Sequence, residues 1–90
     1  MAVFCVTYDL NKSGQNYSAL YDEIKLSSGW CHALDSVWLI STTENAKQLS
    51  DRLRKKIDDN DDLLVIKVTR DYAGWLDKAT WDWINKHVTN

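Results

Sequence analysis

The stretch that decides the fold is AVFCVTY, at residues 2–8. It is a short, nearly continuous run of β-branched, aromatic and other apolar residues, which is typical of a strand covered on both faces. Alternate side chains along a strand point to opposite faces of the sheet, and both sets here are apolar or neutral. We therefore expect residues 2–8 to form a central strand of a sheet.

Helical and extended patterns alternate along the chain beyond this strand. Apolar residues recur at helical spacing from Tyr17 to Ile24, which predicts a first amphipathic helix. Residues 30–41 are strand-like again, and Asp35 with Ser36 indicates a kink or a tight turn between two strands. We expect a helix followed by two strands in this part of the chain.

A second helix is predicted from Ala46 to Ile57, where apolar residues trace one face. Thr42 or Thr43 precedes it and is expected to serve as its N-cap. Basic side chains cluster at residues 52–56, where they can offset the exposed carbonyl groups of the helix end. We interpret that cluster as a solvated helix terminus rather than a phosphate site.

The last part of the chain contains a turn, a strand and a helix. The tract at residues 58–62 is acidic and polar, as expected of a turn. Residues 63–68 form the clearest strand pattern in the chain. Apolar residues at helical spacing then predict a short final helix at about residues 78–88.

The order strand-helix-strand-strand-helix-strand predicts an α+β fold of the ferredoxin-like kind. Right-handed crossovers in two successive strand-helix-strand units place both helices on one face of an antiparallel sheet. We expect a single domain over residues 1–90, with a βαββαβ core at 1–68 and a C-terminal extension at 69–90 that carries the additional helix. The other sheet face needs a cover, which is a second subunit, the last helix with its tryptophans, or both.

Composition narrows the functional classes. The chain of 90 residues carries 11 basic and 13 acidic side chains, which is not the signature of a dedicated nucleic-acid binder, so any such binding must come from a local patch. Chains this small bury only about 60% of their unfolded surface, so we expect a homodimer.

We also expect a cytoplasmic protein that does not enter a membrane, because no basic start or long apolar segment is present. Cys5 and Cys31 are expected to be buried free thiols, and the competing interpretation is a disulfide or a metal site.

Three short motifs, in order and spacing, resemble a known family. They are YD at residues 8–9, SVWL at residues 36–39 and DDLLVI at residues 61–66. Together they are similar to the small CRISPR-associated adaptation nuclease, the metal-dependent nuclease-like partner of the integrase, and to its SinR-like relatives. The SinR-like branch is the nearer one, through the segments at residues 8–12, 14–17, 30–32 and 73–76.

This resemblance implies a ferredoxin-like homodimer. In some members of the family a divalent metal is held between the two copies of the strand-end aspartate, which is Asp9 here, and the metal expected for this chain is Mg²⁺. The resemblance also implies a metal-dependent endoribonuclease, endonuclease or other phosphodiesterase, or a nucleic-acid-binding protein. The basic residues that follow the aspartate in the adaptation nucleases are replaced here by NKSG at residues 11–14. That replacement favours the alternative, a non-catalytic dimer that binds a nucleotide or a protein partner.

Two roles are open to Asp9. A carboxylate at the end of a central strand could ligate Mg²⁺ and leave a bound water to attack a phosphodiester. Alternatively, it accepts backbone hydrogen bonds from the loop that follows, as aspartates at turns often do. Asp9 is therefore the candidate catalytic and metal-binding residue.

Other candidate binding residues are expected near Asp9. Hydrogen-bond donors to a phosphate are Asn11, Lys12, Asn16 and Ser36, and rings that could stack on a base are Tyr8, Tyr17 and Trp38. Tyr17 and Trp38 also fit the core periodicity, so burial is the competing interpretation. His32 could act as a general acid or base, or could be a structural histidine.

Overall fold

The computed structural model describes residues 1–11 and 17–89. Strands and helices alternate along the chain. They are β1 (Ala2–Asp9), α1 (Ser18–Lys25), β2 (Gly29–Leu34), β3 (Val37–Thr42), α2 (Ala46–Arg54), β4 (Asp62–Lys67) and α3 (Lys78–His87). The chain is therefore an α+β protein, and each predicted strand and helix is present.

The sheet that the described residues form has four strands in the order β2-β3-β1-β4. All neighbouring strands are antiparallel. The strand β1 pairs with β3 on one side and β4 on the other, so its predicted central position is confirmed. The predicted tight turn at Asp35 and Ser36 joins β2 to β3.

The main core lies between one face of the sheet and the helices α1 and α2. Each helix contributes two fully buried side chains, and β1 and β3 contribute the sheet side. Its buried members are Phe4, Val6, Tyr8, Leu20, Ile24, Trp38, Ile40, Leu49 and Leu53. Burial of each large apolar side chain contributes about 1.5–3 kcal/mol, so this layer supplies most of the hydrophobic stabilisation.

The start of α2 differs from the prediction. The N-cap is Asn45, whose side chain accepts a hydrogen bond from the Gln48 backbone N–H at 2.8 Å, while the Gln48 side chain accepts from the Asn45 N–H at 2.9 Å. Thr42 is the last residue of β3, and its hydroxyl donates to the Glu44 carboxylate at 2.9 Å. The expected caps Thr42 and Thr43 were therefore wrong, because the strand extends to Thr42 and the reciprocal Asn45–Gln48 pair satisfies the first helical donors.

The second sheet face is partly covered by α3. Val3 and Leu39 of the sheet are buried there against Ile84 and Val88. The side chain of Asp77 caps α3 by accepting from the Thr80 N–H at 2.8 Å. Hydrogen bonds with the Thr80 side chain and with its backbone N–H lower the pKa of Asp77. The last helix is thus one cover of this face, which we call the open face because part of it remains exposed.

The two cysteines lie on the open face and are free thiols. Cys5 and Cys31 are each paired with Leu39, from opposite sides of β3. Two strand spacings separate them by roughly 9–10 Å, too far for a disulfide. Both thiols are half-buried rather than fully buried, and burial raises the pKa of each.

No helix among the described residues combines the length and the apolar character that a bilayer span requires.

Candidate functional site

The central strand ends at Asp9, directly opposite the first residue of β4. In the β1–β4 ladder Asp9 is paired with Asp62, and both residues are exposed. Paired residues of an antiparallel ladder point to the same side, so the two carboxylates share the open face. They border a shallow concavity of about 210 Å³, lined by Thr7, Tyr8, Asp9, Asp62, Leu63 and Leu64.

Two like charges at directly opposite positions destabilise a sheet, so this pair has a cost that a cation would remove. Cβ atoms of such a pair are about 4.5–5.5 Å apart, close enough for two carboxylates to share one ion. Within the described ranges, no group of three or more His, Cys, Asp or Glu side chains could hold a metal. Mg²⁺ needs only one or two carboxylates beside water and substrate oxygens, so the Asp9–Asp62 pair fits this ion in type and number.

Asn11 lies two residues beyond the strand end and bonds to the turn before β4. Its backbone N–H donates to Asp61 Oδ1 at 2.7 Å, and its side-chain amide donates to the Asn60 carbonyl at 2.8 Å and to Asp62 Oδ2 at 3.4 Å. Asn11 was predicted as a donor to phosphate. The structure places it beside Asp62, with its amide already engaged by the protein.

Tyr17 belongs to the same end of the sheet. It immediately precedes α1, is half-buried, and donates its hydroxyl to Asp61 Oδ1 at 2.9 Å. Two of the other predicted phosphate donors, Lys12 and Asn16, lie outside the described residues. The acidic end of the sheet therefore brings together Asp9, Asn11 and Tyr17 from the predicted set.

A second group of predicted residues lies in the core beside this end. The Trp38 indole N–H donates to the Tyr8 hydroxyl at 2.9 Å, and that hydroxyl donates to the Asp35 carbonyl at 3.4 Å. Trp38 is 2% exposed, which leaves its ring no free face for a base. Burial raises the pKa of Tyr8 to about 12, so its hydroxyl stays protonated at physiological pH.

His32 is exposed and lies flat on Trp38, with ring centroids 3.9 Å apart and planes 8° from parallel. Its Nε2 is 3.0 Å from the Asp35 carbonyl oxygen. Because a carbonyl oxygen only accepts, Nε2 carries the proton in this contact. The neighbouring Ser36 is exposed, and its carbonyl accepts from the Tyr8 backbone N–H at 3.2 Å.

The sequence did not predict a binding role for Asp62, Trp30 or Lys25. Trp30 is 40% exposed on the edge strand β2, 5.6 Å from the Trp38 ring. The ammonium group of Lys25 lies 5.3 Å from the centroid of the Trp30 ring. Trp30 belongs to the strand-like run and Asp62 to the polar turn, but only the register between strands shows which residues they face.

A scan against protein-family models finds no match, and no solved structure matches this chain. The interpretation of the site therefore depends on its geometry.

Proposed function

We propose that this chain is a cytoplasmic, ferredoxin-like homodimer related to the CRISPR-associated adaptation nucleases and SinR-like proteins, and that it cleaves phosphodiester bonds in RNA or DNA with Mg²⁺. The observation that carries the proposal is the pairing of Asp9 with Asp62 across two strands on an exposed sheet face. The strand order β2-β3-β1-β4, with α1 and α2 packed on one core, supports the ferredoxin-like assignment.

The two carboxylates share one task in this proposal. Asp9 and Asp62 hold the metal ion, and the concavity beside them receives the scissile phosphate. When bound, Mg²⁺ would lower the pKa of a coordinated water and offset negative charge on the phosphate. The net charge of −2 repels nucleic acid, so neutralisation of this acidic pair is also a condition for binding.

A second subunit fits the open face. Leu64 and Ile66 are 53% and 54% exposed on the same face as Asp9 and Asp62. Exposed apolar side chains grouped on one face are typical of protein interfaces. A dimer through this face brings the Asp9–Asp62 pairs of the two copies toward each other, which would add ligands to the metal.

A metal titration combined with a nuclease screen tests the proposal. Labelled single-stranded RNA and DNA are incubated with the wild type, Asp9→Ala and Asp62→Asn over a range of Mg²⁺ concentrations. We expect cleavage that requires Mg²⁺. Loss of a hydrogen-bond partner behind a metal ligand costs roughly 10–100-fold in metal affinity or activity. Each of these substitutions removes a ligand itself and should lower the cleavage rate by more than that.

Asp71→Asn is the matched control, since it removes one exposed carboxylate outside the strands and helices. It should retain wild-type cleavage. If the wild type cleaves neither nucleic acid with Mg²⁺, or if Asp9→Ala cleaves as fast as the wild type, the catalytic proposal is wrong.

The alternative is a non-catalytic dimer that binds a nucleotide. Its support is the partly exposed Trp30, with Lys25 beside it and the exposed His32 on the same strand. Aromatic rings near a cation bind bases and phosphates without sequence preference. In the same screen, a nucleotide that raises the Tm without Mg²⁺ and no longer does so in Trp30→Ala would favour this alternative.

A further inference from the structure

Asn11 connects the end of β1 to the residue that faces Asp9. Its side-chain amide has two acceptors, the Asn60 carbonyl at 2.8 Å and Asp62 Oδ2 at 3.4 Å. The first bond fixes the amide against the backbone of the turn. The second directs one of its N–H groups at a carboxylate oxygen of Asp62.

The turn that presents Asp62 is itself fastened by Asp61. Asp61 Oδ1 accepts from the Asn11 backbone N–H at 2.7 Å and from the Tyr17 hydroxyl at 2.9 Å. Its Oδ2 accepts from the Asp58 N–H at 2.8 Å, and its own N–H donates to the Asp58 carbonyl at 3.0 Å. The residue immediately before Asp62 is therefore held by hydrogen bonds with Asn11 and Tyr17 through one carboxylate oxygen, and with Asp58 through the other oxygen and the backbone N–H.

We infer that Asn11 is a positioning residue, which orients the Asp62 carboxylate for a divalent cation shared with Asp9. The inference rests on the proposed function, because it assigns Asn11 a role toward that cation. It replaces the predicted role of Asn11 as a direct donor to phosphate.

The physical reason lies in the geometry of the carboxylate. A donor fixed on one oxygen of Asp62 restricts rotation of the group and leaves its other oxygen available to a metal. The same donor offsets part of the repulsion between Asp62 and Asp9. Carboxylates that ligate metals are commonly held by such hydrogen bonds, and loss of the partner weakens metal affinity by about 10–100-fold.

Direct metal binding tests this role without reference to catalysis. Mn²⁺ replaces Mg²⁺, and free Mn²⁺ is measured by electron paramagnetic resonance in titrations of the wild type, Asn11→Ala, Asn11→Gln and Asp9→Ala. Sites lost in Asp9→Ala define the specific binding. We expect Asn11→Ala to raise the Kd of that site by about tenfold or more. Asn11→Gln keeps an amide donor and should recover part of the affinity.

Asn45→Ala is the matched control for a purely structural effect. It removes the N-cap of α2 and should cost about 1 kcal/mol of folding stability, far from Asp9. Its Kd for Mn²⁺ should equal that of the wild type. Urea denaturation of both variants shows whether their stability losses are comparable.

The possible results separate the two proposals. A wild-type protein without an Asp9-dependent Mn²⁺ site overturns the proposed metal-dependent function, and the role of Asn11 with it. Specific binding that Asn11→Ala leaves unchanged overturns the positioning role alone. A loss of affinity equal in Asn11→Ala and Asn45→Ala also overturns it, because general destabilisation would then explain both.

Discussion

At the scale of single residues, a hydrogen bond between two core side chains ties β3 to β1. The Trp38 indole N–H donates to the Tyr8 hydroxyl, and both side chains are buried. A buried donor without an acceptor costs about 1–3 kcal/mol. The tyrosine hydroxyl therefore has a structural task, whatever ligand the neighbouring site binds.

Tyr8→Phe tests that task, because it removes the acceptor and preserves the ring. We expect the free energy of unfolding to fall by about 1–3 kcal/mol, as measured by urea denaturation. Tyr72→Phe is the matched control: that hydroxyl is 3.5 Å from Asn85 Oδ1 and the residue is 37% exposed, so the change should stay within about 0.5 kcal/mol. Equal losses in the two variants would contradict this account.

At the scale of elements, Arg52 joins α1 to α2. Its guanidinium bonds to the Glu23 carboxylate at 2.9 Å, to Glu44 at 2.9 Å and to the Ser27 hydroxyl at 2.8 Å. The side chain is 25% exposed, so these pairs are screened less than surface pairs. The basic cluster at residues 52–56 was interpreted as a solvated helix end, but its first member is turned inward as a bridge between helices.

The ion pair predicts a specific pH dependence. The hydrogen bond from Arg52 lowers the pKa of Glu44 below its ordinary value of 4.5. A depressed pKa in the folded state means that the stabilisation is present above pH 4.5 and is lost as the pH falls through the folded value. Glu44→Gln should therefore lower stability at pH 7, by about 1 kcal/mol, and the difference from the wild type should shrink in more acid solution.

Chemical denaturation at several pH values measures this difference. Asp51→Asn is the control, because its pair with Lys47 joins side chains that are 60% and 83% exposed and should contribute little. A difference between Glu44→Gln and the wild type that grows as the pH falls would have the wrong sign for this explanation.

The strands and helices could be predicted from the sequence, but the residues that face one another across them could not. A nearly continuous apolar run located β1, and helical periodicity located the helices, because apolar spacing records which face of a helix is buried. The pairing of Asp9 with Asp62 depends on a register between segments far apart in sequence, which local patterns do not encode. For the same reason Arg52 was assigned to solvent, since its partner Glu23 lies on α1, far away in sequence.

At the scale of the whole molecule, the two sheet faces are covered unequally. Two helices cover one face, whereas α3 covers only part of the other. Leu64 and Ile66 remain about half exposed, and Trp75 is fully exposed. The sequence pattern of β4 is that of a strand with two covered faces, so this apolar surface fits the homodimer that we propose.

Ile66→Lys should disrupt such a dimer and leave the fold intact, because the new charge lies on a half-exposed position. Sedimentation velocity should show a dimer for the wild type and a monomer for the variant, with unchanged circular dichroism. Leu26→Lys is the control, at a residue that is 77% exposed at the end of α1. A monomeric wild type, or a variant that remains dimeric, contradicts this interface.

The central position of β1 also affects how the protein is made. This strand comes before all the other strands in the sequence, and one of its two neighbours, β4, begins only at Asp62. The sheet therefore cannot close until β4 has been synthesised, and its long-range pairing slows folding. During translation, the edge of β1 that later pairs with β4 presents backbone N–H and C=O groups without their partners, and such an edge is where pairing with another chain begins.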